Sequence, residues 1–188
     1  MEEVFQKVLS ECEKISCLNK NVYRPNVSGI EKVKQFGNDV KFGHIRKLGF
    51  PCESITFGTQ KIRFKKRTEM YQPSRWNKKF PDLYDALLEL ATYIIPDDFI
   101  FNGEMNITLN KNLKCLPHHD QNKGDSIIMG FGDYEGGRLI LHHKDNNNTT
   151  CDNEYVDIKY KPFKFNGKNI LHSTENFKGN RYSVIYFT

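Results

Sequence analysis

No run in this 188-residue chain approaches the ~20 apolar residues that a membrane-spanning helix needs, so an integral membrane protein of that kind is excluded. The start, Met1-Glu2-Glu3-Val4-Phe5, has neither the basic opening nor the apolar stretch of a secretory leader, and none is expected. The five cysteines (Cys12, Cys17, Cys52, Cys115, Cys151) are odd in number and contain no Cys-x-x-Cys pair. Zinc-ribbon and disulfide-scaffold readings therefore fall away, and the thiols read as reduced ones in an intracellular protein, nuclear or cytoplasmic. Tryptophan occurs once, at Trp76, and no internal repeat is present. The single low-complexity piece, Asn146-Asn147-Asn148-Thr149-Thr150, reads as a solvated loop. With 38% hydrophobic, 27% charged and 13% aromatic residues, the chain is not a disordered tail, a collagen-like fibre or a coiled coil. Its length suits one domain with one sizeable core.

The net charge of +5 is unevenly spread. Between residues 61 and 80, eight basic side chains face one acid, Glu69, so this segment carries +7 and the remainder −2. The same segment holds Phe64, Tyr71, Trp76 and Phe80. Cations interleaved with rings suit a nucleic-acid surface, where phosphates are neutralised and unstacked bases rest on flat faces. The competing reading is a solvated charged face whose rings turn into the core.

Apolar positions at Val4, Phe5, Val8, Leu9, Cys12 and Ile15 predict an amphipathic helix over residues 2 to 17. A second helix is expected to start near Phe80 with Pro81 in its first turn, to bury Leu83, Ala86, Leu87, Leu90 and Ile94, and to stop before Pro96. From Phe99 onward, short runs rich in Ile, Val, Tyr and Phe predict antiparallel strands at 100–109, 126–132, 138–143, 155–160, 162–165, 169–173 and 181–187. Asn166-Gly167 is read as a hairpin turn. The expected fold class is α+β, mostly β: a sandwich with helices supporting one sheet, within a single domain. Residues 1–98 would form a helical and basic support region, and 99–188 the core.

The chemistry-bearing residues lie in the β half. His118-His119-Asp120 is followed much later by His172. Two imidazoles and one carboxylate on one side of a metal leave positions open, as in a facial iron(II) site. Alternate residues of a strand share a face, so His118 and Asp120 can reach one ion while His119 points away. Arg181 follows His172 by nine residues and is placed on the next strand after a Lys178-Gly179-Asn180 turn. Its guanidinium suits a two-pronged pair with a dicarboxylate, and Ser183 on the same face adds a hydroxyl. Gly136-Gly137 reads as a tight turn needing positive φ. His142 and His143 are strand neighbours, so at most one can face the pocket, and Cys115 reads as a small buried apolar residue.

The ordered set His118-x-Asp120, then Gly132-Asp133-Tyr134-Glu135-Gly136-Gly137-Arg138-Leu139, then His172 and Arg181-x-Ser183 resembles the iron(II)/2-oxoglutarate dioxygenase superfamily. The stretch from Pro117 to Ile128, with the Gly-Asp-Tyr-x-Gly-Gly-x-Leu run, is most similar to its TET/JBP group, which oxidises the methyl of thymine or 5-methylcytosine in nucleic acid. The likeness covers roughly residues 100 to 188. It implies a double-stranded β-helix (jelly-roll) fold, with His118, Asp120 and His172 as catalytic iron(II) ligands. Arg181, with Ser183, would bind the distal carboxylate of 2-oxoglutarate, and O2 would be the second co-substrate. Asn110 and Asn112 fall where related enzymes place polar residues on the co-substrate, or form a plain turn. The implied reaction hydroxylates a C–H bond and yields succinate and CO2. The implied substrate is a methylated base in nucleic acid, with residues 61–80 holding the backbone; no membrane partner is expected. Departures from animal TET enzymes are His119 between the first two ligands, Lys123 in place of an asparagine, and no cysteine-rich zinc module. The alternatives are a hydroxylase of a protein side chain or small metabolite, an AlkB-like nucleic-acid demethylase, and a jelly roll that only binds nucleic acid.

Overall fold

A computed structural model describes residues 2–14, 53–63, 69–144 and 150–188. In chain order these form α1 (Glu2–Lys14), β1 (Glu53–Phe57), β2 (Thr59–Arg63), β3 (Glu69–Pro73), α2 (Arg75–Lys79) and α3 (Pro81–Ile94). Nine further strands follow: β4 (Asn106–Lys111), β5 (Ser126–Phe131), β6 (Tyr134–Gly136), β7 (Leu139–Lys144), β8 (Thr150–Val156), β9 (Phe163–Phe165), β10 (Leu171–Thr174), β11 (Phe177–Gly179) and β12 (Tyr182–Phe187). No helix among the described residues is long and apolar enough to cross a membrane.

Local sequence accounts for the helices. Pro81 opens α3, where its missing N–H costs nothing and its fixed φ is already helical. Leu83, Ala86, Leu87, Leu90, Ala91 and Ile94 recur at helical spacing and are all buried; the chain turns extended at Ile95, ahead of Pro96. Val4, Phe5, Val8 and Cys12 form the buried stripe of α1. The Ser74 hydroxyl caps α2 by accepting from the Trp76 N–H at 3.3 Å.

The strands form a five-stranded sheet in the order β1-β4-β12-β5-β9 and a three-stranded sheet in the order β10-β7-β8. The β6–β11 and β2–β3 pairs are two-stranded ribbons. An isolated antiparallel rung between His118 and His172 adds the segment around residue 118 to the second sheet, beside β10. Followed along the chain, the strands alternate: β4 in the first sheet, the 118 segment in the second, β5 in the first, β7 and β8 in the second, β9 in the first, β10 in the second, β12 in the first. Two sheets fed alternately in this way are a jelly roll, the fold class expected from the sequence.

Period-two alternation sends the residues of the larger sheet to two destinations. Ile107, Leu109, Ile127, Met129, Phe131, Val184 and Tyr186 pack with α1 and α3 in one core. The Tyr186 hydroxyl donates to Leu87 O at 2.8 Å, fixing the sheet to α3. Ile128 and Phe165, on the opposite face, meet Leu139 and Leu141 of the second sheet in a smaller core. The candidate site lies on that inner face.

Several expected elements differ. The strand expected at 100–109 runs from Asn106 to Lys111, and that expected at 155–160 runs from Thr150 to Val156. Asn166-Gly167 does not close a hairpin, because β9 and β10 belong to different sheets; the loop crosses between them. Lys178-Gly179 is not a turn but part of β11, paired with β6. Glu53–Phe57, Thr59–Arg63 and Glu69–Pro73 are strands that were not expected, the last two within or beside the basic segment. Lys65, Lys66, Arg67, residues 15–17 of the expected first helix and Asn146–Thr149 of the polar loop lie outside the described residues. Of the rings in the basic segment, Trp76 is buried at 7% exposure and Tyr71 is 60% exposed.

Candidate metal centre

His118 and His172 face each other across one rung: the His118 N–H donates to His172 O at 2.9 Å and the His172 N–H to His118 O at 3.0 Å. Each imidazole then donates from Nδ1 to a backbone carbonyl two residues upstream, His118 to Leu116 O at 2.7 Å and His172 to Ile170 O at 2.9 Å. This fixes the tautomer and leaves the Nε2 lone pair of both rings for a ligand. The Asp120 N–H donates to Gly167 O at 2.8 Å, which turns its carboxylate between the rings. Asp120 Oδ1 is 3.6 Å from His118 Nε2 and Oδ2 is 3.6 Å from His172 Nε2. The three ligand atoms lie within 4.8 Å of one another. Burial pushes the His172 imidazole pKa below its ordinary value, so the neutral, metal-binding form is favoured.

Two neutral imidazoles and one carboxylate fit a divalent first-row metal such as iron(II), and the surroundings fit it too. A side chain at residue 167 would collide with Asp120 Oδ2 and press on the His172 ring, so glycine leaves the carboxylate its place. The Asn122 amide donates to Asp120 Oδ2 at 3.4 Å and to Ser126 Oγ at 3.0 Å, restraining the carboxylate from behind. His119 is exposed yet also lines the cavity, against the expectation that it points away, because residues 118–120 hold a single bridge residue and not an extended strand with strict alternation.

The three groups share a cavity of about 520 Å³ with Arg181 and Ser183. Arg181 is only 2% exposed, and among the described residues no acidic side chain pairs with it. Burial lowers its pKa from the ordinary arginine value. Its Nε donates to Gly137 O at 3.1 Å. The Asn110 amide donates to Ser183 Oγ at 3.3 Å, while Asn110 Oδ1, also buried, has no partner. A buried cation without a counter-charge, beside a hydroxyl, is the setting an acidic co-substrate such as 2-oxoglutarate fits. Beyond the metal ligands, Ile128, Ile185, Phe165 and Phe187 supply an apolar wall.

The remaining candidates separate cleanly. Asn110 lines the cavity, whereas Asn112 adopts φ 53° and its Oδ1 accepts from the Arg181 N–H at 2.8 Å, so it holds Arg181 by the backbone. Cys115 is not a fully buried apolar residue: it is half-buried and lines the cavity. His142 faces away from the cavity and meets Asn153 Oδ1 and Ser173 Oγ at 2.8 Å each; His143 pairs with exposed Glu154. Sequence reasoning missed Asn122 and Gly167. Asn122 stands two residues past Asp120, a usable signal; Gly167 was masked by the stronger hairpin reading of Asn-Gly.

No protein-family model matches the chain, and no curated protein does. Among solved structures it is similar to a 2OG-Fe(II) oxygenase family oxidoreductase from Burkholderia pseudomallei, at 18% identity over 73% of this chain and 72% of that one, with a TM-score of 0.47. It is similar to a Pseudomonas putida prolyl-4-hydroxylase at 10% identity over 99% of this chain and 86% of that one, with a TM-score of 0.45. NgTET1 in complex with 5mC DNA aligns at 16% identity over 99% of this chain and 89% of that one, also with a TM-score of 0.45.

Proposed function

We propose that this chain is an iron(II)- and 2-oxoglutarate-dependent dioxygenase that hydroxylates a C–H bond. One observation carries the reading: His118, Asp120 and His172 converge within 4.8 Å in the same cavity as the buried, carboxylate-free Arg181. When bound, the metal with 2-oxoglutarate and O2 supplies oxidative decarboxylation to succinate and CO2 and transfer of an oxygen atom to the substrate. The protein's part is positional. Leu116 O and Ile170 O keep both imidazoles presenting Nε2. Asp120 offsets part of the metal's charge, and Asn122 holds that carboxylate. Arg181 and Ser183 orient the keto-diacid by its far carboxylate, and Ile128, Ile185 and Phe165 keep water from the reacting end.

For the substrate we infer a methylated base in nucleic acid. Supporting it are Arg75, Lys78 and Lys79, exposed on α2, which packs against the edge strand β1, with Tyr71 of the neighbouring strand β3 also exposed. The burial of Trp76 counts the other way, since its ring packs in the core beneath Arg75 (4.6 Å) and Lys79 (5.0 Å) and offers no stacking face. A hydroxylase of a protein side chain or metabolite would need the same metal site without this surface.

The deciding measurement is succinate release with iron(II) and 2-oxoglutarate over methylated oligonucleotides, free nucleosides and peptides. Oligonucleotide-dependent release is expected, reduced by reversing Arg75, Lys78 and Lys79 to glutamate. Release driven by peptides or nucleosides alone moves the substrate to the alternative class, and absence of uncoupled or coupled release removes the dioxygenase reading.

A further inference from the structure

A guanidinium as deeply buried as that of Arg181 ordinarily needs a carboxylate, because removing a charge from water is costly. Here a resident carboxylate would also occupy the edge that an anionic ligand must use. The surroundings of Arg181 answer both demands. Its Cζ lies 5.6 Å from the ring centroid of Tyr134 and 5.6 Å from that of Phe177. Both are within cation–π range, where a ring's negative face attracts a cation without adding a full negative charge.

The two rings come from the β6–β11 ribbon, in which Phe177 pairs with Gly136 and Gly179 with Tyr134. They meet edge to face with centroids 6.5 Å apart. Tyr134 is buried; Lys159 donates to Tyr134 O at 2.7 Å and its Nζ lies 4.8 Å from the centroid of the same ring, so two cations share that ring. The turn after the ribbon completes the cage. Gly137, at φ 71°, accepts the Arg181 Nε–H on its carbonyl, and a Cβ there would sit 2.9 Å from Arg181 Cδ and Nε. The Gly-Gly pair thus does more than turn the chain: its second glycine makes room for the arginine.

We infer that Tyr134 and Phe177 are positioning residues for Arg181, their ring faces holding the guanidinium in place of a carboxylate so that it stays available on the cavity wall for an anionic ligand. This rests on the reading of Arg181 as the anchor for 2-oxoglutarate. The two aromatic residues touch neither the metal ligands nor, by this assignment, the co-substrate; they act through Arg181.

The test is calorimetric titration of 2-oxoglutarate into the full chain loaded with Mn(II) in place of iron, with thermal melts as a fold control. Tyr134→Leu and Phe177→Leu are each expected to weaken 2-oxoglutarate binding by roughly tenfold while leaving Mn(II) affinity unchanged. Tyr134→Phe, which keeps the ring face, should bind within about twofold of the parent. In turnover the leucine variants should raise KM for 2-oxoglutarate more than they lower kcat. If Tyr134→Leu melts out, Phe177→Leu, at a half-buried position, decides alone. Leucine variants that bind like a parent that does bind would overturn the inference and leave the anchor reading standing. A parent that takes up Mn(II) but no 2-oxoglutarate would bring down the anchor reading, and the inference with it.

Discussion

The two faces of the five-stranded sheet are made by the same strands and do opposite things. Toward the helices, β4, β5 and β12 present Ile107, Leu109, Met129, Phe131, Val184 and Tyr186, almost fully buried against α1 and α3. Toward the cavity, the alternate residues of the same strands include Thr108, Asn110 and Ser183, with Arg181 just ahead of β12. On one face burial is apolar and stabilising; on the other, polar groups and a cation are buried with unmatched hydrogen-bonding capacity. A sheet can carry that unfavourable face because its other face is so thoroughly packed, and the period of two keeps the two roles apart one residue at a time.

That division can be broken from either side. Replacing Asp120 with alanine should abolish succinate release and metal uptake while the thermal melt stays cooperative, since the carboxylate serves the cavity and not the core; retained turnover would remove the iron assignment. Leu109→Ala, on the helix face, should do the reverse: a loss of roughly 2–5 kcal/mol in urea unfolding, with activity per folded molecule unchanged. Arg181→Lys should raise the 2-oxoglutarate requirement by roughly ten- to a hundredfold in steady-state assays, because an ammonium cannot copy the forked contact. An unchanged requirement would move the anchor elsewhere. The smallest effect is on pH. Burial holds the folded pKa of His172 below the ordinary 6.5. The unfolded chain therefore takes up this proton first as pH falls. Stability from the neutral ring is present above pH 6.5 and declines as pH drops from there toward the depressed value, by at most about 1.4 kcal/mol per pH unit. Urea midpoints of the metal-free protein across that window, for the parent and for His172→Asn, would check it: the variant should show the shallower decline.

Much of this was legible without coordinates, for physical reasons. The stripe of α3 and its Pro81 start are local signals, and they fell where expected. His118, Asp120 and His172 were visible as ligand types, whereas strand alternation did not turn His119 out of the cavity, since residues 118–120 form no extended strand. What was hidden depended on crossings between sheets. Asn166-Gly167 carries the chemistry of a hairpin turn but spans two sheets, and its glycine is required by Asp120. The β6–β11 ribbon is only three residues a side, too short for any periodic signal, so Lys178-Gly179 looked like a turn. The basic segment hid two strands, and of the two readings left open for its rings the burial of Trp76 favours the one that turns them into the core.

The rung between His118 and His172 has a kinetic consequence. The 118 segment belongs to no extended strand and is fastened to the second sheet by that pair of amide contacts and by the Thr174 N–H donating to Cys115 O at 2.9 Å. An ion clasped by both imidazoles would therefore act as a rivet through a weakly stitched seam. Its loss should be felt first as faster deuterium uptake at those two amides, well before the remainder of the barrel loosens.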